Sequence, residues 1–275
     1  YMEAAIILNK PLMVLDRPNP NGRYIDGPVL EPRYKSFVGM QPVPVVYGMT
    51  IGEYAQMLLG EGWLSKEAMD AYTQNVLAAT YAPGAIYFGL EVIKCGNYTH
   101  QSRYDLPVAP SPNLPDMGSV WWYSSTCFFE GTLISEGRGT AKPFQIFGHP
   151  SLPKTLYAFV PEARDYAKEF KPYGQICYGW NLSGPADEVW KRTAGGIQLR
   201  WLLQAYKLFP NKEAFFYTAK KKGATPDDYF FNKLAGNATL MQQIKSGATE
   251  AQIRKSWEPG LNKFKAIRKK YLLYP

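Results

Sequence analysis

Four consecutive apolar residues, Leu12-Met13-Val14-Leu15, follow Pro11 and stop at Asp16-Arg17-Pro18-Asn19-Pro20-Asn21-Gly22. A short apolar run bounded by turn residues is the pattern of a buried strand in a parallel sheet. Ahead of it, Tyr1 to Leu8 reads as the end of a helix with no N-cap in front, so the natural protein is expected to extend further upstream. Helix, strand and polar loop together open an α/β sheet, in which ligands bind beyond the carboxyl ends of the strands. Asp16 and Arg17 fall at that edge. Alone, they read sooner as an Asp capping its own loop and an Arg bracing it.

Further along, Thr50-Ile51-Gly52-Glu53 is a capping box, with Tyr54, Met57 and Leu58 at helical spacing behind it. Ser65 caps a second helix with Met69, Tyr72 and Val76 on one face, ended by Gly84. Ile86, Phe88, Leu90 and Val92 alternate as a strand. Asn97 to Pro115 is a long Pro-, Asn-, Ser- and Tyr-rich loop, and loops of this length are often functional. Leu156 to Val160 and Gln175 to Trp180 read as strands, and Ile197 to Phe209 as a helix. Thr249 with Gln252 forms another capping box, ahead of helical positions that end at Tyr271. The second half lacks a βαβ rhythm. A boundary is placed near Ser151, dividing the chain into 1–150 and 151–275.

With 46% hydrophobic and 20% charged residues, the 275-residue chain can bury a substantial core. Its 20 Tyr and 7 Trp exceed what one core needs, and such rings suit sugars, which present apolar and polar surface together. Tyr98, Tyr104, Trp121, Trp122 and Tyr123 are the candidates for stacking on a sugar, with core packing the default for any single one. The net charge of +8 favours anionic partners. The densest basic runs, Lys220-Lys221-Lys222 and Arg268-Lys269-Lys270, accompany no nucleic-acid motif and read as solvated faces, so no nucleic acid is expected. Cys95, Cys127 and Cys177 form no C-x-x-C pair, and His100 and His149 are the only histidines, so neither a metal nor a cofactor is expected. No stretch approaches the roughly 20 apolar residues of a membrane span.

The densest chemistry lies in Thr126-Cys127-Phe128-Phe129-Glu130-Gly131-Thr132 and Ser135-Glu136-Gly137-Arg138-Gly139-Thr140. Two carboxylates sit close together among glycines that let backbone approach a ligand. Arg138, between two glycines, is placed to clamp a carboxylate. Glycoside hydrolysis commonly uses two carboxyl groups, one protonating the leaving oxygen and one acting as base or nucleophile. A tight turn closed by an Arg–Glu ion pair fits the same residues.

These stretches, together with Val14 to Gly22, Tyr47-Gly48-Met49-Thr50-Ile51-Gly52-Glu53, Leu106-Pro107 through Pro110-Ser111-Pro112-Asn113-Leu114-Pro115 and the ending Arg268 to Tyr274, occur in one order. The chain resembles the bacterial exo-β-N-acetylmuramidase family NamZ from near Pro11 to the C-terminus. The resemblance implies an α/β fold: a Rossmann-like subdomain whose N-terminal part is missing here, a smaller α+β C-terminal subdomain, and a cleft between them. It implies an exo-acting glycosidase that releases N-acetylmuramic acid from non-reducing ends of peptidoglycan fragments, with muropeptides or disaccharides as partners and a periplasmic or cell-surface location. Members of the family carry a further N-terminal portion with a Pro-Glu-His-Gly-like motif whose glutamate is credited with the chemistry, and that motif is absent here.

Within this reading Glu130 and Glu136 are the acid/base or orienting carboxylates. Arg138 and Arg17 recognise a lactyl or peptide-stem carboxylate. His100, Tyr104 and Asn113 line the sugar pocket, with Asp16, Asn19, Tyr47, Ser111 and Thr140 as further substrate-binding candidates. The competing class is a non-catalytic glycan-binding protein using the same cleft.

Overall fold

The computed structural model describes residues 1–81, 87–163, 170–220 and 222–275. In chain order these residues form α1 (Met2–Ile7), β1 (Leu12–Leu15), β2 (Asp26–Val29), β3 (Pro44–Val46), α2 (Ile51–Gly60), α3 (Lys66–Tyr81), β4 (Leu90–Ile93) and α4 (Met117–Thr126). They continue as β5 (Ile146–His149), β6 (Tyr157–Phe159), β7 (Cys177–Asn181), α5 (Ala186–Arg192), α6 (Arg200–Leu208), α7 (Phe230–Ala235), α8 (Thr239–Lys245) and α9 (Glu250–Arg268). No helix among them is long and apolar enough to cross a membrane.

The contacts divide this α/β chain into two units. The first gathers Tyr1–Arg23, Gly48–Tyr104 and Lys265–Pro275, and the second Tyr24–Tyr47 and Asp105–Phe264. This grouping differs from a cut near Ser151, because both sides of Ser151 lie inside the second unit.

In the first unit β1 pairs with β4 in parallel, Leu12 opposite Leu90 and Leu15 opposite Ile93. The parallel strand expected from the apolar run is present, but it is not buried on both faces. Met13 is 57% and Leu15 70% exposed, since among the described residues β1 pairs with β4 alone. A small core of Met2, Ile6, Ala55, Ala68 and Phe88 holds the helices of this unit. Ser65 Oγ caps α3 by accepting from the Ala68 amide, but Val76 is 49% exposed instead of packing inward. Gly84 and Ile86 lie outside the described residues. Residues 94–116 form the expected long loop without helix or strand.

The second unit holds the antiparallel pair β2–β3 and the antiparallel sheet β5-β7-β6. Gly148 faces Gly179 across β5 and β7, and a Cβ on Gly179 would stand 1.9 Å from the Phe147 carbonyl. Glycine at this register lets the two backbones close. Packed on the sheet is an aromatic core in which Phe129 stacks on Phe147 at 4.5 Å and Phe147 on Trp180 at 5.1 Å. Trp121 and Trp122 are 0% exposed. They belong to this core, the default role for such rings, and do not form a stacking surface. The capping box at Thr249 and Gln252 starts α9, which runs through Pro259 as one helix. All three cysteines are free thiols.

Candidate functional site

The Glu130 segment is set by local rules and by a few close approaches. Asp116 caps α4 by accepting from the Ser119 amide at 2.8 Å. α4 then tightens into a 3-10 turn, Cys127–Gly131, that carries Glu130. Gly131 packs against α7, where a Cβ would meet the Phe231 backbone at 2.5 Å. The chain next pairs Ser135 with Gly148 of β5 through two backbone bonds, 2.8 and 3.0 Å. Arg138 follows between Gly137 and Gly139, with φ of +80° and +81°. Both glycines sit against backbone: a Cβ would lie 2.5 Å from the Ile146 carbonyl at Gly137 and 2.0 Å from the Glu162 carbonyl at Gly139. Only glycine suits such positions, so the loop presents Arg138 from a fixed base.

Four alternating charges line up here. Arg138 Nη2 meets Glu130 Oε2 at 2.8 Å, and Arg138 Nε meets Glu136 Oε1 at 3.5 Å. Glu136 Oε2 meets Lys171 Nζ at 2.7 Å. Lys171 also donates to the carbonyls of Phe129, Thr132 and Ile134 at 2.8, 3.0 and 2.6 Å. Glu130, Glu136 and Lys171 are all buried, and the Arg138 side chain retains 18% exposure over the Phe144 ring. Burial pushes the Glu136 carboxyl up, but the Lys171 ammonium and the Arg138 guanidinium outweigh it and hold it below the usual range. The phenol of Tyr123, edge-on to Phe144, is pushed far up by burial and by the charges of Cys127 and Glu130.

Both readings of the Glu130 and Arg138 segments from sequence therefore meet in one arrangement. The turn is closed by Arg–Glu ion pairs, and those pairs leave a guanidinium partly open. Glu136, expected beside Glu130 as an acid or base, is a buried anion held by charge, with Oε2 2.7 Å from Lys171 and Oε1 3.5 Å from Arg138, neither contact aligned as a hydrogen bond. It can orient Arg138 but has no proton to donate near neutral pH.

The other candidates separate by unit. In the first, Asp16 accepts from the amides of Arg17 and Gly52 and from the hydroxyls of Thr50 and Tyr274, at 2.6 to 3.0 Å. It is a brace between the end of β1 and the start of α2. Asn19 donates to the Met49 carbonyl and closes its own turn by accepting from the Asn21 amide. Arg17 is exposed, and Tyr104 is half-buried. His100, expected to line a sugar pocket, is 6% exposed and bonds Glu53 Oε1 through Nε2 at 3.0 Å. Glu53 is itself fully buried. Burial pushes its carboxyl up, but bonds from His100, Thr50 and Leu273 hold it below the usual range.

In the second unit Ser111 and Asn113 close a tight turn, with the Asn113 amide donating to Ser111 Oγ. Thr140 Oγ1 donates to the Gly137 carbonyl at 2.6 Å and steadies the Arg138 loop. Tyr47 is half-buried, and burial raises its phenol. His149 Nδ1 accepts from the Ser151 amide, and burial lowers its imidazole to about 4.

Sequence reading missed Lys171, Glu53 as a hub, and Tyr274. The last two lie in stretches already singled out, the capping box and the C-terminal ending. Lys171 carries no local signal. An apolar groove of about 340 Å³ along Pro11–Met13 and Gly89–Glu91 lies at the amino ends of β1 and β4 and contains none of these candidates.

Fold and site together define an α/β protein with two compact units and a buried Glu–Arg–Glu–Lys array opening at a single guanidinium. Family models named exo-beta-N-acetylmuramidase NamZ, N-terminal and C-terminal, match residues 1–118 and 121–274. The chain belongs to the NamZ family. It is 36% identical over 290 residues to the peptidoglycan beta-N-acetylmuramidase NamZ of Bacillus subtilis strain 168. That match covers 99% of this chain and 62% of the relative, so the chain spans less than two thirds of the relative's length. A crystal structure of a DUF1343 family protein from Bacteroides fragilis superposes with a TM-score of 0.82 at 39% identity, covering 99% of this chain and 69% of that one. A second from the same organism has a TM-score of 0.71 at 23% identity, covering 100% and 69%, and supports the fold alone.

Proposed function

We propose that this chain is part of an exo-acting glycosidase that releases N-acetylmuramic acid from the non-reducing ends of peptidoglycan fragments, acting outside the cytoplasm where that polymer lies. The observation that carries the reading is Arg138. It is a partly open guanidinium, fixed between two glycines and backed by two carboxylates, in a member of a muramidase family. N-acetylmuramic acid differs from N-acetylglucosamine by a lactyl ether bearing a carboxylate, and an oriented guanidinium is the side chain that reads a carboxylate bidentately. Glu130, directly beside Arg138, is assigned to the sugar's reacting end as acid/base or orienting carboxylate, and Glu136 to orientation of Arg138.

The test is release of free N-acetylmuramic acid from a chromogenic N-acetylmuraminide by the protein that carries this chain. Binding of muropeptides without any turnover by the folded protein would replace catalysis with glycan binding. Glu130→Gln should lower kcat by about 10²-fold, the scale of a lost acid–base group, in protein shown by circular dichroism to remain folded. Unchanged turnover would remove Glu130 from the reaction.

A further inference from the structure

Lys171 stands 35 residues from Glu136 in sequence, in no motif of the site, yet its ammonium meets one of that residue's carboxylate oxygens. Its side chain is 2% exposed. Three carbonyls and a carboxylate surround Nζ at 2.6 to 3.0 Å. The three carbonyls come from Phe129, Thr132 and Ile134, which flank Glu130 and lead into Glu136. One cation thus ties the turn that carries Glu130 to the segment that delivers Glu136 and Arg138.

We infer that Lys171 is a positioning residue for Arg138 and sets the protein's selectivity for a carboxylate-bearing amino sugar; this rests on the proposed function above. Glu136 lies between two cations, with Oε2 on Lys171 and Oε1 facing Arg138 Nε. Lys171 anchors the carboxylate, and the anchored carboxylate aims the guanidinium. Without the ammonium, Glu136 is a buried anion with Arg138 as its remaining cation among these four groups. Attraction at short range in a buried setting then draws Arg138 inward, away from the ligand. Glu130 competes for the same guanidinium, so the balance between the two carboxylates fixes where Arg138 points. A lysine is suited to this role because its compact ammonium gathers acceptors around a single point, whereas a guanidinium spreads its donors along a planar fork.

The experiment measures dissociation constants of the protein that carries this chain for N-acetylmuramic acid and for N-acetylglucosamine, the same sugar without the lactyl carboxylate. Wild type, Lys171→Met, Glu136→Gln and the double variant are compared, with folding checked by circular dichroism and Tm. Lys171→Met is expected to be the least stable, since it strands a buried charge, and the double variant recovers stability by removing both charges. In every folded variant the preference for N-acetylmuramic acid should fall about tenfold, the scale of one lost oriented ionic contact. Affinity for N-acetylglucosamine should stay within about twofold, because that sugar lacks the group Arg138 reads.

A folded double variant or Glu136→Gln with wild-type preference overturns the inference and leaves the function intact. Loss of folding in all three variants assigns the pair a purely structural role and also overturns it. A wild type that shows no preference for N-acetylmuramic acid overturns the functional reading and the inference with it.

Discussion

At the scale of single residues, glycine and histidine report most directly on the fold. Gly139→Ala would place a methyl against the Glu162 carbonyl and force a side chain into φ +81°. The expected loss is about 2–4 kcal/mol in urea denaturation, above the ordinary cost of a left-handed alanine because the backbone contact adds to it. His149 carries a pH signature. Its imidazole is lowered from 6.5 to about 4, so the unfolded chain binds more protons than the native one between those values. Stability therefore falls as pH drops from 6.5 toward 4 and this contribution levels off below that. Proton NMR of the His149 ring should show a midpoint near 4. Glu53 and Glu136 are held below their ordinary 4.5, so their stabilisation is intact above 4.5 and disappears only as pH falls through their lower native values. A Tm-against-pH curve that is flat from 6.5 to 4 would contradict the His149 assignment.

At the scale of elements, the start of α2 shows where local reading succeeds and where it stops. Thr50 and Glu53 bond each other's amides as the T-I-G-E pattern requires. Thr50→Ala should cost about 1–2 kcal/mol, at the upper end for a cap because its hydroxyl also donates to Asp16. Asp16→Ala should cost about 2–3 kcal/mol by stranding the Gly52 amide and the Tyr274 hydroxyl, with the loss read as faster amide exchange along the first turn of α2. The cap follows from spacing of three residues. The Asp16 brace does not, since its partner Tyr274 is 258 residues away. The same division runs through the Arg138 segment. Its glycines and its Arg–Glu pairing are visible in the sequence, whereas the anchoring of Glu136 by Lys171 is not.

At the scale of the molecule, the first unit is assembled from three separate stretches of chain, the last of them Lys265–Pro275. Tyr271 donates to Glu61, the Leu273 amide to Glu53 and Tyr274 to Asp16, while the Pro275 carbonyl accepts from the His100 amide. Removal of residues 265–275 should leave Glu53 and Asp16 each short of a donor and strip amide protection from α2 and β4 in hydrogen exchange. Unchanged protection there would show that the C-terminal stretch is dispensable to this unit.

Helix starts, turns, the α/β class and the motifs that mark the family are all legible in the chain, because each depends on neighbours within a few residues or on an order of short patterns. The exposed face of β1, the grouping into two units, the pairing of Glu136 with Lys171 and that of Asp16 with Tyr274 come from folding alone. Hydrogen bonds and ion pairs select by distance in space. A buried carboxylate takes whichever cation packing brings within about 4 Å, and nothing in the spacing of residues 136 and 171 predicts that they meet.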